Sequence, residues 1–242
     1  MPELGRAALI AVLGLTGYAA VAGSYAAYTR RRRLLESARN AFLAAFAGAL
    51  VAALVLLKAF QAHDFSLKYV ADHSSRRLPF PYIYSAFWGG QAGSLLLWLT
   101  VLLGLGSAAV ALHGKLTREV LPWTVPVLGG IATFFAFMLV VVSSPFATQV
   151  APADGVGLNP SLQNPYMMVH PPLLYTGYVG LTIPFAFAAA TLLSGRADER
   201  WMVATRRWTL VAWTALGIGI LLGAKWAYEE VGWGGYYAWD PV

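Results

Sequence analysis

The sequence predicts an all-helical protein that crosses a membrane about six times. Of its 242 residues, 58% are apolar and 12% are charged, whereas a soluble domain has about 45–50% apolar and about 25% charged residues. Apolar stretches of about 20 residues, the length that crosses about 30 Å of hydrocarbon, recur along the chain. In such a chain the net charge of +6 bears on topology rather than on nucleic acid. The absence of Cys excludes disulfides, thiolate metal sites and a cysteine nucleophile.

The predicted transmembrane helices cover, in chain order, residues 7–28, 39–61, 93–112, 123–145, 172–193 and 208–228. The first is a retained anchor rather than a cleaved signal peptide, because its basic cluster at 30–33 follows the apolar run. We expect a single membrane domain over residues 1–242 that is truncated within a final aromatic segment at 226–242.

The distribution of positive charge predicts the orientation. Of the 17 Lys and Arg, eleven lie in segments 28–40, 113–122 and 194–207, and four lie in the segments on the other side of the membrane. Because cytoplasmic loops carry the excess of Lys and Arg, we expect the N-terminus, the two long loops and the C-terminal segment outside. In a bacterial inner membrane this is the periplasmic side. The outer segments are rich in aromatic residues, Pro and Gly, so function is expected there.

The C-terminal segment carries six Trp or Tyr between Trp226 and Trp239. Such residues are common as plain anchors at a membrane boundary. Six exceed what an anchor needs, and the glycines among them allow turns that bring ring faces against a flat ligand. We therefore expect a ligand platform formed by Trp226, Trp233, Gly234, Gly235, Tyr236, Tyr237, Trp239 and Asp240.

A second outer segment, residues 158–175, contains His170 followed by Pro171 and Pro172. Pro171 is expected to hold His170 in extended backbone, with both prolines in the first turn of the fifth transmembrane helix. A histidine at a helix start is often a solvated cap, but this rigid setting across from the aromatic segment favours a metal ligand. Met167 and Met168 could also offer sulfur, although methionine at a membrane surface more often packs.

A third outer segment, residues 86–98, places Trp88 and two glycines before the third transmembrane helix. These residues either belong to the platform or allow irregular backbone to pack at membrane depth. His63, after the second helix, and His73, in a polar stretch, are expected to be solvated, and His63 is the next candidate ligand after His170.

These three segments resemble the CcmF family of cytochrome c maturation, the haem-lyase subunit of a bacterial membrane system. The resemblance is carried by three stretches: Trp233–Val242, which looks like the WWD signature of haem-handling proteins, His170–Tyr175 and Phe87–Trp98. The WWD stretch alone would also fit the related CcmC and CcsA-type proteins, whereas the histidine stretch favours CcmF or its nitrite-reductase-operon relative. Two departures are Tyr236 and Tyr237, where the signature often has Trp, and the several hundred further residues that the family has.

The resemblance implies haem binding and handling in cytochrome c biogenesis: haem from a haem chaperone is presented for covalent attachment to apocytochrome c. By this resemblance the WWD strip lies under the haem and His170 is an axial ligand of its iron. A second, transmembrane b-type haem would use ligands outside this chain. The implied partners are membrane lipid, the chaperone, apocytochrome c and other maturation subunits, with no nucleic acid. Whether the chain itself forms thioethers, as a haem lyase, stays open.

Haem propionates need cations, and Arg76 and Arg77 are the arginines of the outer loops, so we expect them at the propionates; the alternative is a solvated charge pair. Asp240 would repel propionates and is expected to hold its loop by hydrogen bonds instead.

Competing functions are a related WWD haem exporter or transporter subunit, half of a transporter or channel, and a non-catalytic assembly subunit. A transporter should carry ionisable or broken-helix sites near the bilayer midplane. None is evident, since Lys58 and Lys225 lie near helix ends and Lys225 can pair with Glu229.

Reporter fusions test the orientation. A reporter that is active only in the periplasm should be inactive when fused after Arg200 and active when fused after Ser161, because the charge bias puts these positions on opposite sides. Periplasmic activity of the Arg200 fusion would contradict the assignment.

Overall fold

The chain folds into long helices, and long loops join several of them at one end of the bundle. The computed structural model describes residues 1–112, 121–195, 199–232 and 235. Within these residues the α-helices are α1 (Pro2–Thr29), α2 (Arg32–Gln61), α3 (Lys68–His73), α4 (Phe80–Ser85), α5 (Gln91–Leu112), α6 (Leu121–Phe137), α7 (Pro165–Gly180), α8 (Thr182–Leu193) and α9 (Arg200–Glu230). A π-helical turn, Met138–Val142, extends α6, and 3₁₀ turns cover Ala86–Trp88 and Pro160–Leu162.

The helical spans confirm the predicted multi-pass membrane architecture. Six of them are long and apolar enough to cross a membrane: α1, α2, α5, α6 with its extension, α7 together with α8, and α9. Because successive spans run in opposite directions, the N-terminus and the segments 62–90 and 143–164 lie at one end of the bundle, called here the loop face. The turn at 30–31 and the residues Ser194, Gly195 and Glu199 lie at the other end, called here the arginine face. That the loop face is periplasmic stays a prediction.

Several helices begin earlier than their apolar stretches. α2 begins at Arg32 rather than at residue 39, and α9 begins at Arg200 rather than at residue 208. A helix is defined by backbone hydrogen bonds, so it continues through polar turns at the membrane surface. At about 1.5 Å per residue, the 30 residues of α2 span about 45 Å, which exceeds the hydrocarbon thickness.

The helices form two packed groups. In the first, α1 lies against α2 and α6. α6 approaches α1 closely, since a side chain at Gly129 would stand 2.9 Å from the backbone nitrogen of Ala20. In the second group, α7 lies against α9, and α8 connects this pair to α6. The pair α7–α9 carries the candidate site.

The two long loops of the loop face are bonded to each other along their backbones. Lys68 N donates to Ala147 O and Gln149 N donates to Ser66 O, both at 2.9 Å. Further along, Val156 N donates to Ala71 O at 2.7 Å. The second loop therefore covers the first and holds α3 over the end of the bundle.

Asp154 fixes the exposed end of this loop pair. Its Oδ1 accepts hydrogen bonds from the backbone N–H groups of Arg76, at 2.9 Å, and Gly155, at 2.8 Å. The Arg76 N–H is the main cause that lowers the pKa of the Asp154 carboxyl below its usual value, and the nearby arginine charges add to the effect.

Replacement of Asp154 by Ala should loosen residues 74–77 and 153–157 and leave the membrane helices unchanged. In the unaltered protein the same segments should loosen as the pH falls through the lowered pKa of Asp154, because a depressed carboxyl pKa stabilises the fold only while the group is ionised. Hydrogen exchange of these amides measures both effects. An Asp72→Ala variant serves as the control, since Asp72 is an exposed carboxylate of the same face; equal loosening in the control would contradict the role of Asp154.

Candidate functional site

The helix that carries His170 begins at Pro165, seven residues before the predicted start at residue 172. Asn164 is the N-cap of α7, with its Oδ1 accepting a hydrogen bond from Tyr166 N at 2.8 Å, and Pro165 occupies the first turn. His170, Pro171 and Pro172 all lie inside α7. The prediction of extended backbone at His170 is therefore wrong, because the cap at Asn164 nucleates a helix that continues through the prolines.

The His170 ring points from α7 onto α9. Its Nδ1 lies 2.7 Å from Gly219 O. Since a carbonyl only accepts, Nδ1 carries the proton in this hydrogen bond, and Nε2 keeps the free lone pair. The ring also packs on Gly223, where a Cβ would collide with Cε1 and stand 2.7 Å from Nδ1.

Small residues let α7 and α9 approach closely enough for this contact. A side chain at Gly177 would stand 2.7 Å from the Leu216 Cα, and one at Gly219 would stand 3.0 Å from the Leu174 backbone nitrogen. The spacing of Gly219 and Gly223 is a small-xxx-small pattern. The sequence alone marks it as a packing pair; the structure adds that the space is used by His170.

A cavity of about 220 Å³ lies beside His170 at the loop face. Residues of α7, namely His170, Leu174 and Tyr175, form one wall, and Trp88 forms part of another. The Trp88 indole Nε1 donates a long hydrogen bond, 3.5 Å, to Met167 O. This carbonyl would accept from residue 171 in a regular helix, but Pro171 has no N–H. Trp88 and His170 thus line the same cavity.

The turn that bears Trp88 is fixed by two side chains of α3. The buried Tyr69 hydroxyl donates to Phe87 O and accepts from Gly90 N, both at 3.0 Å, and burial raises the pKa of Tyr69. His73 stacks on Tyr69 with ring centroids 4.4 Å apart, and its Nδ1 lies 2.9 Å from Tyr69 O. A Cβ at Gly90 would collide with the His73 ring. His73 is therefore half-buried and hydrogen-bonded rather than fully solvated as expected.

The C-terminal end of α9 is attached to the start of α7. Trp226 Nε1 donates to Ser161 O at 2.8 Å. The Asn164 amide donates to carboxylates of Glu229, at 3.3 Å, and Glu230, at 2.9 Å. Lys225 and Glu229 form the predicted ion pair at 3.0 Å. Trp226 therefore lies beside the turn at 160–162, of which Leu162 lines the cavity.

Most of the predicted platform lies beyond the residues that the structure describes. Of its members, Trp226 and Gly235 are described, and those outside are Trp233, Gly234, Tyr236, Tyr237, Trp239 and Asp240. Their predicted role as a platform stays a prediction.

Arg76 lies at a second cavity of the loop face, of about 410 Å³, together with His63. Its guanidinium carbon stands 5.8 Å from the centre of the Phe65 ring, and its Nε donates to Ala153 O at 3.3 Å. His63 has left-handed backbone, with φ of 50°, and within the described chain its buried Nδ1 has no hydrogen-bond partner. The two cavities share no lining residue. Arg77 is exposed on the same loop.

The site residues suit one axial imidazole rather than a protein metal cage. Among the described residues, no three His, Asp or Glu side chains are grouped as metal ligands. A metal-binding histidine typically donates its second ring N–H to a backbone carbonyl or a carboxylate, which fixes the tautomer and the ring plane. His170 has this arrangement, with Nε2 as the available ligand atom.

Comparisons with known proteins show the family to which the chain is similar. A family model described as cytochrome C assembly protein matches residues 88–242. The chain is 45% identical over 244 residues to the cytochrome c-type biogenesis protein CcmF of Pseudomonas aeruginosa, and 39% identical to that of Escherichia coli. Those alignments cover all of this chain but 37% and 38% of the relatives. A solved structure named cytochrome c heme lyase CcmF matches 99% of this chain and 38% of its own, with a TM-score of 0.85 and 34% identity.

Two glycines of α9 give a matched test of the His170 contact. Gly223→Ala should destabilise the protein by about 1–3 kcal/mol, because its methyl group displaces the His170 ring. Gly217→Ala should stabilise it by up to about 1 kcal/mol, since nothing lies within 4 Å and Ala favours helix. Unfolding in detergent measures the stabilities, and nitrogen NMR of the imidazole measures the tautomer. Equal shifts in the two variants, with the His170 signals unmoved, would contradict the contact.

Proposed function

Since the chain belongs to the cytochrome c assembly protein family, we propose that it binds haem at the loop face and presents it for covalent attachment to apocytochrome c. The observation that carries this proposal is the His170 ring, held by Gly219 O in the tautomer that leaves Nε2 free beside a cavity. The chain spans a little over a third of the length of the relatives it matches. The activity of the whole protein is therefore part of the proposal.

His170 would serve as an axial ligand of the haem iron through Nε2. The hydrogen bond from Nδ1 to Gly219 O makes Nε2 a more basic ligand for iron. It also limits the rotation of the ring, which iron binding would otherwise have to restrict. Met167 lines the same cavity, and its carbonyl accepts the hydrogen bond from Trp88. His170 is the stronger candidate on these grounds.

The haem would lie across the mouth of the cavity rather than inside it. The volume of about 220 Å³ is below the 300–1,000 Å³ or so of sites that enclose an organic ligand. Trp88 would border the ring on one side, and Trp226 leads into the aromatic WWD segment proposed to lie under it. Each aromatic face would contribute to the free energy of haem binding in proportion to the area it buries, at roughly 25 cal/mol per Å² removed from water. No single Trp is therefore expected to be essential for haem binding.

Arg76 and Arg77 are the proposed partners of the haem propionates. Both lie on the loop face, and the Arg76 contacts to Phe65 and Ala153 O hold its guanidinium in place. A guanidinium has five N–H donors, so these contacts leave donors for a carboxylate. His63, at the same cavity, stays the alternative iron ligand.

The same proposal names the partners and the location. Haem would arrive from a haem chaperone, and it supplies the vinyl groups to which the apocytochrome thiols add. We place the chain in a bacterial inner membrane, surrounded by lipid and by other maturation subunits, with the loop face in the periplasm. Thioether formation by a haem lyase, and a second transmembrane b-type haem with ligands outside this chain, follow from the resemblance to CcmF.

The test of the iron ligand is the visible spectrum of the full-length protein. His170→Ala should lose haem or shift its Soret band, and added imidazole should partly restore the band by filling the vacated position. His63→Ala is the control and should keep the spectrum. An unchanged spectrum with full cytochrome c assembly in the His170 variant would refute the ligand, and loss of haem in the His63 variant alone would transfer the role to His63.

An Arg76→Ala, Arg77→Ala double variant tests the propionate contacts. It should retain the axial ligation spectrum but release haem several-fold faster, because charge-assisted hydrogen bonds to the carboxylates are lost. A Lys68→Ala variant removes a charge from the same face and should release haem at the original rate. Unchanged haem release in the double variant would remove both arginines from the site.

A further inference from the structure

We propose that a cavity at the arginine face binds the phosphate of an anionic lipid headgroup. The cavity has a volume of about 390 Å³ and lies where the ends of α1 and α8 meet the starts of α2 and α6. Arg30 and Arg32 line it together with Tyr28, Trp123 and Ser194. It is at the opposite end of the bundle from His170, so it does not depend on the proposed haem site.

The charge of the cavity suits an anion. Segment 30–39 contains five arginines and one acidic residue, Glu36. Glu36 contacts Arg32 through Nε, at 3.0 Å. The planar guanidinium has further donors in a fork that matches phosphate oxygens, so this contact leaves Arg32 able to bind a phosphate. Arg31 is directed elsewhere, with its guanidinium 5.6 Å from the centre of the Tyr25 ring.

The backbone at Arg30 gives a second reason to assign a role to its side chain. Arg30 ends α1 in the left-handed conformation, with φ of 56° and ψ of 30°. Glycine is the usual residue at such a helix end, because a Cβ strains this conformation. The strain is kept at the position that carries a guanidinium to the cavity, and strain of this kind commonly marks a binding site.

The apolar surroundings favour a lipid over a free phosphate ion. Leu35 and Leu193 line the cavity beside the arginines, and the adjoining Leu192 is exposed on the outside of α8. Tyr and Trp concentrate at the level of lipid headgroups, and Tyr28 and Trp123 lie near the end of α1 and the start of α6. A phosphate between the arginines would leave acyl chains along the exposed leucines of α8. Basic pockets between transmembrane helices bind cardiolipin-type headgroups in this way.

Native mass spectrometry of the full chain, released from phosphatidylcholine bilayers with or without cardiolipin, tests the site. The unaltered protein should retain cardiolipin. In the Arg30→Gln, Arg32→Gln variant the affinity for cardiolipin should fall about tenfold for each arginine replaced. An Arg206→Gln, Arg207→Gln variant is the control, since it removes the same charge from exposed positions of α9 that do not line the cavity. Equal loss in both variants would show diffuse charge attraction and overturn the proposal.

Two further measurements separate lipid binding from folding and from binding of free phosphate. Arg30→Gly should melt no lower than the unaltered protein in phosphatidylcholine, because glycine relieves the backbone strain, yet it should lose the stabilisation that cardiolipin gives. Stabilisation by cardiolipin that persists in Arg30→Gly would contradict the role of Arg30. Inorganic phosphate should not displace the lipid from the unaltered protein; displacement would assign the site to a free anion instead.

Discussion

The close approach of α7 and α9 is the constraint on which the candidate site depends. The hydrogen bond from His170 Nδ1 to Gly219 O, at 2.7 Å, joins a side chain of one helix to the backbone of the other. Such a bond forms only if the facing helix has no side chain in the way, and Gly219 and Gly223 meet this requirement. A carbonyl has two lone pairs, so Gly219 O can serve the helix and the imidazole together. The tautomer of His170 is therefore a consequence of helix packing.

The two prolines after His170 deprive two carbonyls of α7 of their usual donors beside this contact. In a regular helix Met167 O and Met168 O would accept from residues 171 and 172, which here lack N–H groups. A backbone carbonyl without its helical donor is tolerated at membrane depth where another protein group satisfies it, and the Trp88 indole N–H donates to Met167 O. Trp88 is fixed in turn by the Tyr69 hydroxyl, which holds both sides of its turn. The Trp88 segment thus has a structural role in addition to its proposed role at the haem.

The sequence predicts the membrane helices well because their signal is local: a run of apolar residues of sufficient length identifies each span. It predicts the backbone of His170 wrongly because two local rules compete there. The residue before a proline disfavours helix, whereas Asn164 followed by Pro165 is a strong helix start; the second rule prevails, and its signal is present in the sequence. The partners of His170 and His73 are not local. No pattern within α7 indicates that its ring meets Gly219, and no pattern around His73 indicates that it packs on Gly90.

The spacing between His170 and the aromatic segment is set by helices rather than by loops. Asn164 caps α7 through Tyr166 N and also binds Glu229 and Glu230, the last two residues of α9. It therefore ties the start of the helix that bears His170 to the end of the helix that leads into the WWD segment. Gly219 makes a second tie between the same helices, about 15 Å further along α9. Two contacts between the same two rigid helices fix both their separation and their relative rotation. The segment after Glu230 therefore begins at a fixed distance from the imidazole. A planar ligand that is covered on a face by an aromatic ring and bound through its metal by an axial imidazole needs a fixed distance between the two, and the α7–α9 pair fixes where His170 and the end of α9 stand relative to each other.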